Sequence, residues 1–162
     1  MRKLLIIRHA IAQQRDRRRW PNDDNRPLTR KGRKTFRRAA RGIAAVTATP
    51  DEVLCSPLVR TRQTARILQR EAGFPRAEPL LQLRPDATTR ELVAALRKRN
   101  ADCVAIVGHE PCLSRLLCTL LMDQHAAAAL SLKKGGLACV IFERGQAKLV
   151  SFLPPKILRA LA

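Results

Sequence analysis

Two of the three histidines in this 162-residue chain end short apolar runs. Leu4-Leu5-Ile6-Ile7 stops at Arg8-His9-Ala10, and Cys103-Val104-Ala105-Ile106-Val107 stops at Gly108-His109-Glu110-Pro111. A neutral imidazole can attack phosphorus and carry the phosphoryl group as a covalent intermediate. An arginine stands beside the first of these histidines, and the forked N–H donors of a guanidinium match phosphate oxygens. A third apolar stretch, Val53-Leu54-Cys55, gives way to Ser56-Pro57-Leu58-Val59-Arg60-Thr61-Arg62-Gln63-Thr64. That places Arg60 in the first turn of a predicted helix, whose free N–H groups and positive dipole end also suit an anion. A lone histidine at a strand end is more often a structural polar residue. Here the company of two arginines and a second imidazole points to phosphate chemistry.

The elements that must deliver these groups follow from periodicity. Unbroken Ile- and Val-rich runs predict strands buried on both faces of a parallel sheet, and the residue leaving such a strand lies at the carboxyl edge, where open α/β sheets bind ligands. Residues 10–25 are polar and charged, with Trp20-Pro21, and predict a loop lying over the edge where His9 emerges. Thr29 is the expected N-cap of a helix with Phe36, Ala39, Ala40, Ile43 and Val46 on one face and Arg30, Lys34, Arg37 and Arg41 on another. Ser56 and Pro57 suit the N-cap and first position of a second helix, burying Leu58, Thr61, Ala65, Leu68 and Ala72 and stopping near Gly73.

Residues 75–86 predict a connection with a brief strand around Leu80-Leu81, and Thr88 or Thr89 caps a helix running to Asn100. A further helix is expected from Pro111 to about Met122. Leu137 to Phe142 and Lys148 to Leu153 flank Arg144-Gly145 as a hairpin, with a short helix from Pro155. The expected architecture is one domain over residues 1–162: an α/β fold with a mostly parallel central sheet, helices on both faces and a C-terminal strand hairpin.

Composition narrows the function classes. A chain of this length buries a core without disulfides or structural metal. Of its five cysteines, Cys55, Cys103 and Cys139 fall in predicted strands, and no Cys-x-x-Cys occurs. His9, His109 and His125 are scattered without metal-ligand spacing, so neither a metal nor another cofactor is expected. No Gly-rich turn follows the first strand, which excludes dinucleotide binding. The N-terminus lacks the form of a signal peptide and no apolar run reaches membrane-spanning length, so a cytoplasmic location is expected.

The charge is unusual: 32 Lys and Arg against 13 Asp and Glu give a net +19. Arg15, Arg17, Arg18 and Arg19 contribute, in an N-terminal quarter dense in basic residues. Such a field attracts polyanions, whether nucleic acid, polyphosphate or an acidic phosphorylated protein. With few aromatics to stack bases and no nucleic-acid motif, a solvated basic face is the default expectation.

The motifs together resemble the histidine phosphatase superfamily, with its phosphoglycerate-mutase-like fold. Its Arg-His-Gly signature is matched by Arg8-His9-Ala10, with Ala in place of Gly. Its Ser-Pro-x-x-Arg-x-x-Gln-Thr motif is matched by Ser56, Pro57, Arg60, Gln63 and Thr64, and its Gly-His-x-Pro by Gly108, His109 and Pro111. Arg26-Pro27-Leu28-Thr29 with Lys31-Gly32 resembles a further stretch of the short members. The chain is most similar to the small SixA-type phosphohistidine phosphatases, because 162 residues leave no room for the helical insertions of the larger relatives.

The resemblance implies a metal-independent hydrolysis in two steps, with His9 as nucleophile and Arg8, Arg60 and His109 holding the phosphoryl oxygens. Ser56 joins the substrate-binding set. The implied partner is a phosphorylated protein resembling a histidine phosphotransfer domain. Larger relatives protonate an alcohol leaving group with a carboxylic acid after the second motif. Here that region reads Leu80-Leu81-Gln82-Leu83-Arg84-Pro85-Asp86, leaving Asp86 and Glu110 as candidate general acids. A phosphoramidate nitrogen is basic enough to depend less on a placed acid. Two alternatives stand beside this reading: a phosphatase of small phosphomonoesters, nucleotides or polyphosphate, and a non-catalytic module that binds phosphate or a polyanion.

Overall fold

The computed structural model describes residues 1–121 and 130–162. Six strands, β1 (Lys3–Arg8), β2 (Glu52–Cys55), β3 (Glu78–Pro79), β4 (Cys103–Gly108), β5 (Leu137–Glu143) and β6 (Gln146–Leu153), form one sheet in the order β3-β2-β4-β1-β5-β6. The first four in that order run parallel, β5 is antiparallel to β1, and β6 is antiparallel to β5. The helices are α1 (Arg30–Val46), α2 (Val59–Ala72), α3 (Thr89–Arg97), α4 (Cys112–Leu121) and α5 (Pro155–Ala160).

The sheet is buried on both faces, which is why its central strands read as unbroken apolar runs. Successive β1 side chains alternate between two cores. Leu5 and Ile7 join Phe36, Ile43, Leu68 and Leu158 on the face covered by α1, α2 and α5. Leu4 and Ile6 join Leu92, Leu96, Leu113 and Leu116 on the face covered by α3 and α4. At the β5–β6 turn Arg144 and Gly145 both take positive φ, 49° and 79°, the paired left-handed geometry that a two-residue hairpin needs.

Several element ends differ from the sequence expectation. The second helix opens at Val59 with Leu58 at its N-cap and no side-chain capping bond, because the Ser56 hydroxyl is engaged elsewhere. The short strand after α2 is Glu78–Pro79, while Leu81–Leu83 form a 3-10 turn whose backbone no longer pairs with the sheet. Val46, placed on the inner face of α1 by periodicity, is the last residue of the helix and is exposed. Thr29 does cap α1, accepting from the Gly32 N–H, and Thr88 forms a reciprocal capping box with Glu91 on α3. That helix ends at Arg97 rather than Asn100. α4 is described to Leu121; Met122 and His125 lie outside the described residues.

Candidate active site

Three parallel strands bring their carboxyl ends to one edge. Arg8 ends β1 and is followed by His9, Ser56 follows β2, and His109 follows β4. Backbone bonds extend the ladder past the strands: the His9 N–H donates to Gly108 O at 3.1 Å and the Ser56 N–H to Val107 O at 3.0 Å. The side chains emerging here are therefore held by the rigid sheet rather than by a loose loop.

The two imidazoles lie with ring centroids 5.0 Å apart, and both are buried. His9 Nδ1 is 2.7 Å from the Ala10 carbonyl oxygen. A carbonyl only accepts, so Nδ1 carries the hydrogen and the Nε2 lone pair is left free for attack. Burial pushes the His9 pKa down to about 3; the Ala10 bond opposes this, and the charges of Arg60, Arg8 and Lys134 add to it. His109 is pushed down to about 2, again chiefly by burial, with His9 and Arg60 contributing. Both rings are neutral at pH 7. His109 Nε2 shares a 3.0 Å hydrogen bond with the Ser56 hydroxyl, while its Nδ1 is buried without a partner among the described residues.

Arg60 projects from the first turn of α2 and is only 4% exposed. Its Nη1 donates to the Asp23 carbonyl oxygen at 2.9 Å, and its Nη2 lies 3.1 Å from the Asp23 carboxylate. Arg8 donates from Nη1 to the Leu132 carbonyl at 2.6 Å. The Nε atoms of both guanidiniums are buried without hydrogen-bond partners among the described residues. Two guanidiniums, each with a buried Nε–H that has no partner among the described residues, give this edge donor capacity matched to an anion.

The remaining motif residues tie the site together. Thr64 Oγ1 accepts from the Ala10 N–H at 3.1 Å and donates to the Arg60 carbonyl at 2.7 Å, which links the residue after His9 to the turn carrying Arg60. Gln63 Oε1 accepts from the Leu28 N–H at 2.8 Å. Ala10, which stands where the family signature has Gly, is itself buried. The Gly32 position is equally constrained, since a Cβ there would collide with the Ile11 carbonyl, which also accepts from the Thr29 N–H.

The two candidate acids are both engaged. Glu110 accepts from the Ser114 N–H at 3.0 Å and from the Leu132 N–H at 2.7 Å, one bond on each carboxylate oxygen. Because the Leu132 carbonyl in turn receives Arg8, Glu110 holds Arg8 in place through the backbone of one residue. The Asp86 side chain is 74% exposed and faces the Arg84 Nε at 3.2 Å.

Asp23 escaped the sequence reading. It sits in a 3-10 turn (Asp23–Asn25) at the end of the loop over the site and is bonded to Arg26 as well as Arg60. Its neighbour Asp24 pairs with Arg84 at 2.9 Å. The Arg26 hydrogen bond, with the charges of Arg60 and Arg15, holds the Asp23 carboxyl below the usual range, so it is ionised. The only signal for it was an acidic pair inside the most basic segment of the chain. Among the described residues no cluster of three or more His, Cys, Asp or Glu is placed to hold a metal ion, and no helix is long and apolar enough to cross a membrane.

The family model described as histidine phosphatase superfamily (branch 1) matches residues 4–84, a stretch that contains Arg8, His9, Asp23, Ser56 and Arg60. An uncharacterized protein of Picosynechococcus sp. strain PCC 7002 is 32% identical over 138 residues, covering 83% of this chain and 82% of that one. Among solved structures, the protein histidine phosphatase SixA complexed with tungstate superimposes with a TM-score of 0.83 at 24% identity, over 96% of this chain and 99% of that one. The alpha-ribazole phosphatase of Shigella flexneri gives a TM-score of 0.74 at 17% identity, over 94% and 96%. At these identities the two structures establish a shared fold.

Proposed function

The chain belongs to the histidine phosphatase superfamily, branch 1, and is a phosphatase; from that premise we propose that it hydrolyses phosphohistidine on a protein through a phosphoryl group carried by His9. His9 Nε2 attacks phosphorus as the bond from phosphorus to the substrate imidazole nitrogen breaks. The departing imidazole takes a proton from solvent. Water then attacks the phosphorus on His9, the bond to Nε2 breaks, and inorganic phosphate leaves. Arg8, Arg60 and His109 bind the phosphoryl oxygens in both steps, where negative charge spreads in the transition state. Ser56 acts on His109, fixing the orientation of its ring through Nε2.

The observation that carries the choice of substrate is the engagement of the nearby carboxylates. Glu110 spends both oxygens on backbone N–H groups, Asp86 faces Arg84 on the surface, and Asp23 is held ionised by arginines. An alcohol leaving group needs a protonated acid beside it, whereas the basic nitrogen of a phosphoramidate does not. A small phosphomonoester remains the second reading, supported by a structural neighbour that is an alpha-ribazole phosphatase. The experiment is phosphate release from a histidine-phosphorylated phosphotransfer domain beside a panel of small esters. The proposal expects kcat/KM on the protein to exceed that on every ester by at least about 100-fold; equal or better turnover of an ester contradicts it.

A further inference from the structure

Eight of the chain's 32 basic residues line a run of clefts that begins one helical turn from Arg60. α1 and α2 both start at the carboxyl edge of the sheet and pack side by side. Between them lies a groove of about 510 Å³ walled by Arg33 and Arg37 of α1 and by Arg66 and Arg70 of α2, with Gln63 and, as its sole acid among the described residues, Glu71. A cleft of about 630 Å³ adjoins it at Arg66 and adds Arg62 and Arg76. Another, of about 470 Å³, adjoins it at Arg33 and Arg37 and adds Arg30 and Lys34. The three form a continuous cationic band across both helices.

Among the described residues, little neutralises this band. Glu71 pairs with Arg41 at 2.7 Å and lies 3.8 Å from Arg37. Arg30, Lys34, Arg62, Arg66, Arg70 and Arg76 are exposed and have no ion-pair partner among the described residues. Holding so many like charges on one face costs the fold through self-repulsion, which a negatively charged partner would relieve.

The lining decides the kind of partner. Among the described residues no aromatic side chain lines the three clefts, so unpaired bases would find no stacking platform. The walls are arginine forks, which suit the carboxylates of an acidic protein surface. The groove is also coupled to the site. Gln63 lies three residues after Arg60 on α2, and both Gln63 and Arg33 bond the backbone of Leu28, in the segment that follows Asp23.

We propose that the α1–α2 groove is the docking surface for an acidic face of the phosphoprotein, seating it so that its phosphohistidine reaches His9. The proposal rests on the phosphohistidine reading given above. Docking contributes to the capture of the protein substrate and leaves the chemical step untouched, so its loss acts on KM for the protein alone.

The test compares wild type, the triple variant Arg37→Gln/Arg66→Gln/Arg70→Gln, and a control of equal charge change on α3 and just beyond it, Arg90→Gln/Arg97→Gln/Lys98→Gln. Each is assayed on a histidine-phosphorylated phosphotransfer domain of net negative charge and on free phosphoramidate. The groove variant should lose about tenfold or more in kcat/KM on the protein through KM, while its phosphoramidate turnover, which also reports an intact fold, stays within about twofold. The control should stay near wild type on both. A groove variant matching the control on the protein substrate overturns the docking surface while leaving the phosphohistidine reading in place. Wild type inactive on the phosphoprotein overturns that reading, and the docking surface with it. Should the groove variant keep its protein kinetics but lose affinity for duplex RNA, the band is a nucleic-acid face and the proposal fails.

Discussion

Asp23 holds Arg60 at two points, its backbone carbonyl 2.9 Å from Nη1 and its carboxylate 3.1 Å from Nη2. The guanidinium proposed to bind the phosphoryl group is thus fixed by a residue 37 positions earlier in the chain. Asp23 is a positioning residue in this account. Asp23→Ala should lower kcat/KM by about tenfold, the size of one hydrogen bond to a charged group, and should lower the thermal midpoint as well, because it leaves the buried Arg60 charge without its carboxylate. Arg60→Lys should lose at least about 100-fold, since an ammonium cannot reproduce the fork that Asp23 orients. Parallel kinetics of the two variants check this, and an Asp23→Ala enzyme indistinguishable from wild type would leave the contact without a catalytic part.

The depressed histidines set the pH behaviour. With pKa values pushed down to about 3 and about 2, His9 and His109 stay neutral in the folded protein across the range where unfolded histidine takes up a proton, near 6.5. The acid limb of kcat/KM from the free enzyme's nucleophile should therefore lie well below pH 6.5. Stability carries the opposite cost. Between about 6.5 and the folded values the unfolded chain binds more protons, so stability is fully present above that window and falls as pH drops through it. Each histidine adds up to about 1.4 kcal/mol per pH unit to that slope. Urea unfolding at pH 7 and pH 5 should show a steeper loss for wild type than for His9→Gln; equal slopes would mean that His9 is protonated like a free histidine.

Glu110 separates a structural from a chemical role. Its carboxylate receives the Leu132 N–H, and the Leu132 carbonyl receives Arg8. Glu110→Gln keeps an oxygen for that bond and should hold activity within about threefold on phosphoramidate, whereas Glu110→Ala should lose about tenfold as Arg8 loosens. If the Gln variant is as impaired as the Ala variant, holding the Leu132 N–H is not the whole of what the carboxylate does.

How far the sequence went depends on the range of each interaction. The runs at Leu4–Ile7 and Cys103–Val107 and the turn at Arg144-Gly145 are local signals, and the strands and hairpin lie where they were expected. Ser56 shows the limit. Its type and the Pro after it suit a helix cap, yet its hydroxyl bonds His109, 53 residues away, and the helix starts later. Asp23 was unreadable for the same reason, since its partner Arg60 reaches it only through the fold. Gln63 and Thr64 were visible as motif letters. Their task of tying Leu28 and Ala10 to α2 is carried by hydrogen bonds that no spacing rule predicts.

The central claim is that His9 Nε2 carries the phosphoryl group, its tautomer fixed by the 2.7 Å bond from Nδ1 to Ala10. Quenching wild type during turnover of a phosphohistidine protein should trap acid-labile phosphate on His9. His9→Ala should trap none and lose at least about 1,000-fold in kcat while keeping the fold. A His9→Ala enzyme that hydrolyses the same substrate near the wild-type rate would contradict the account.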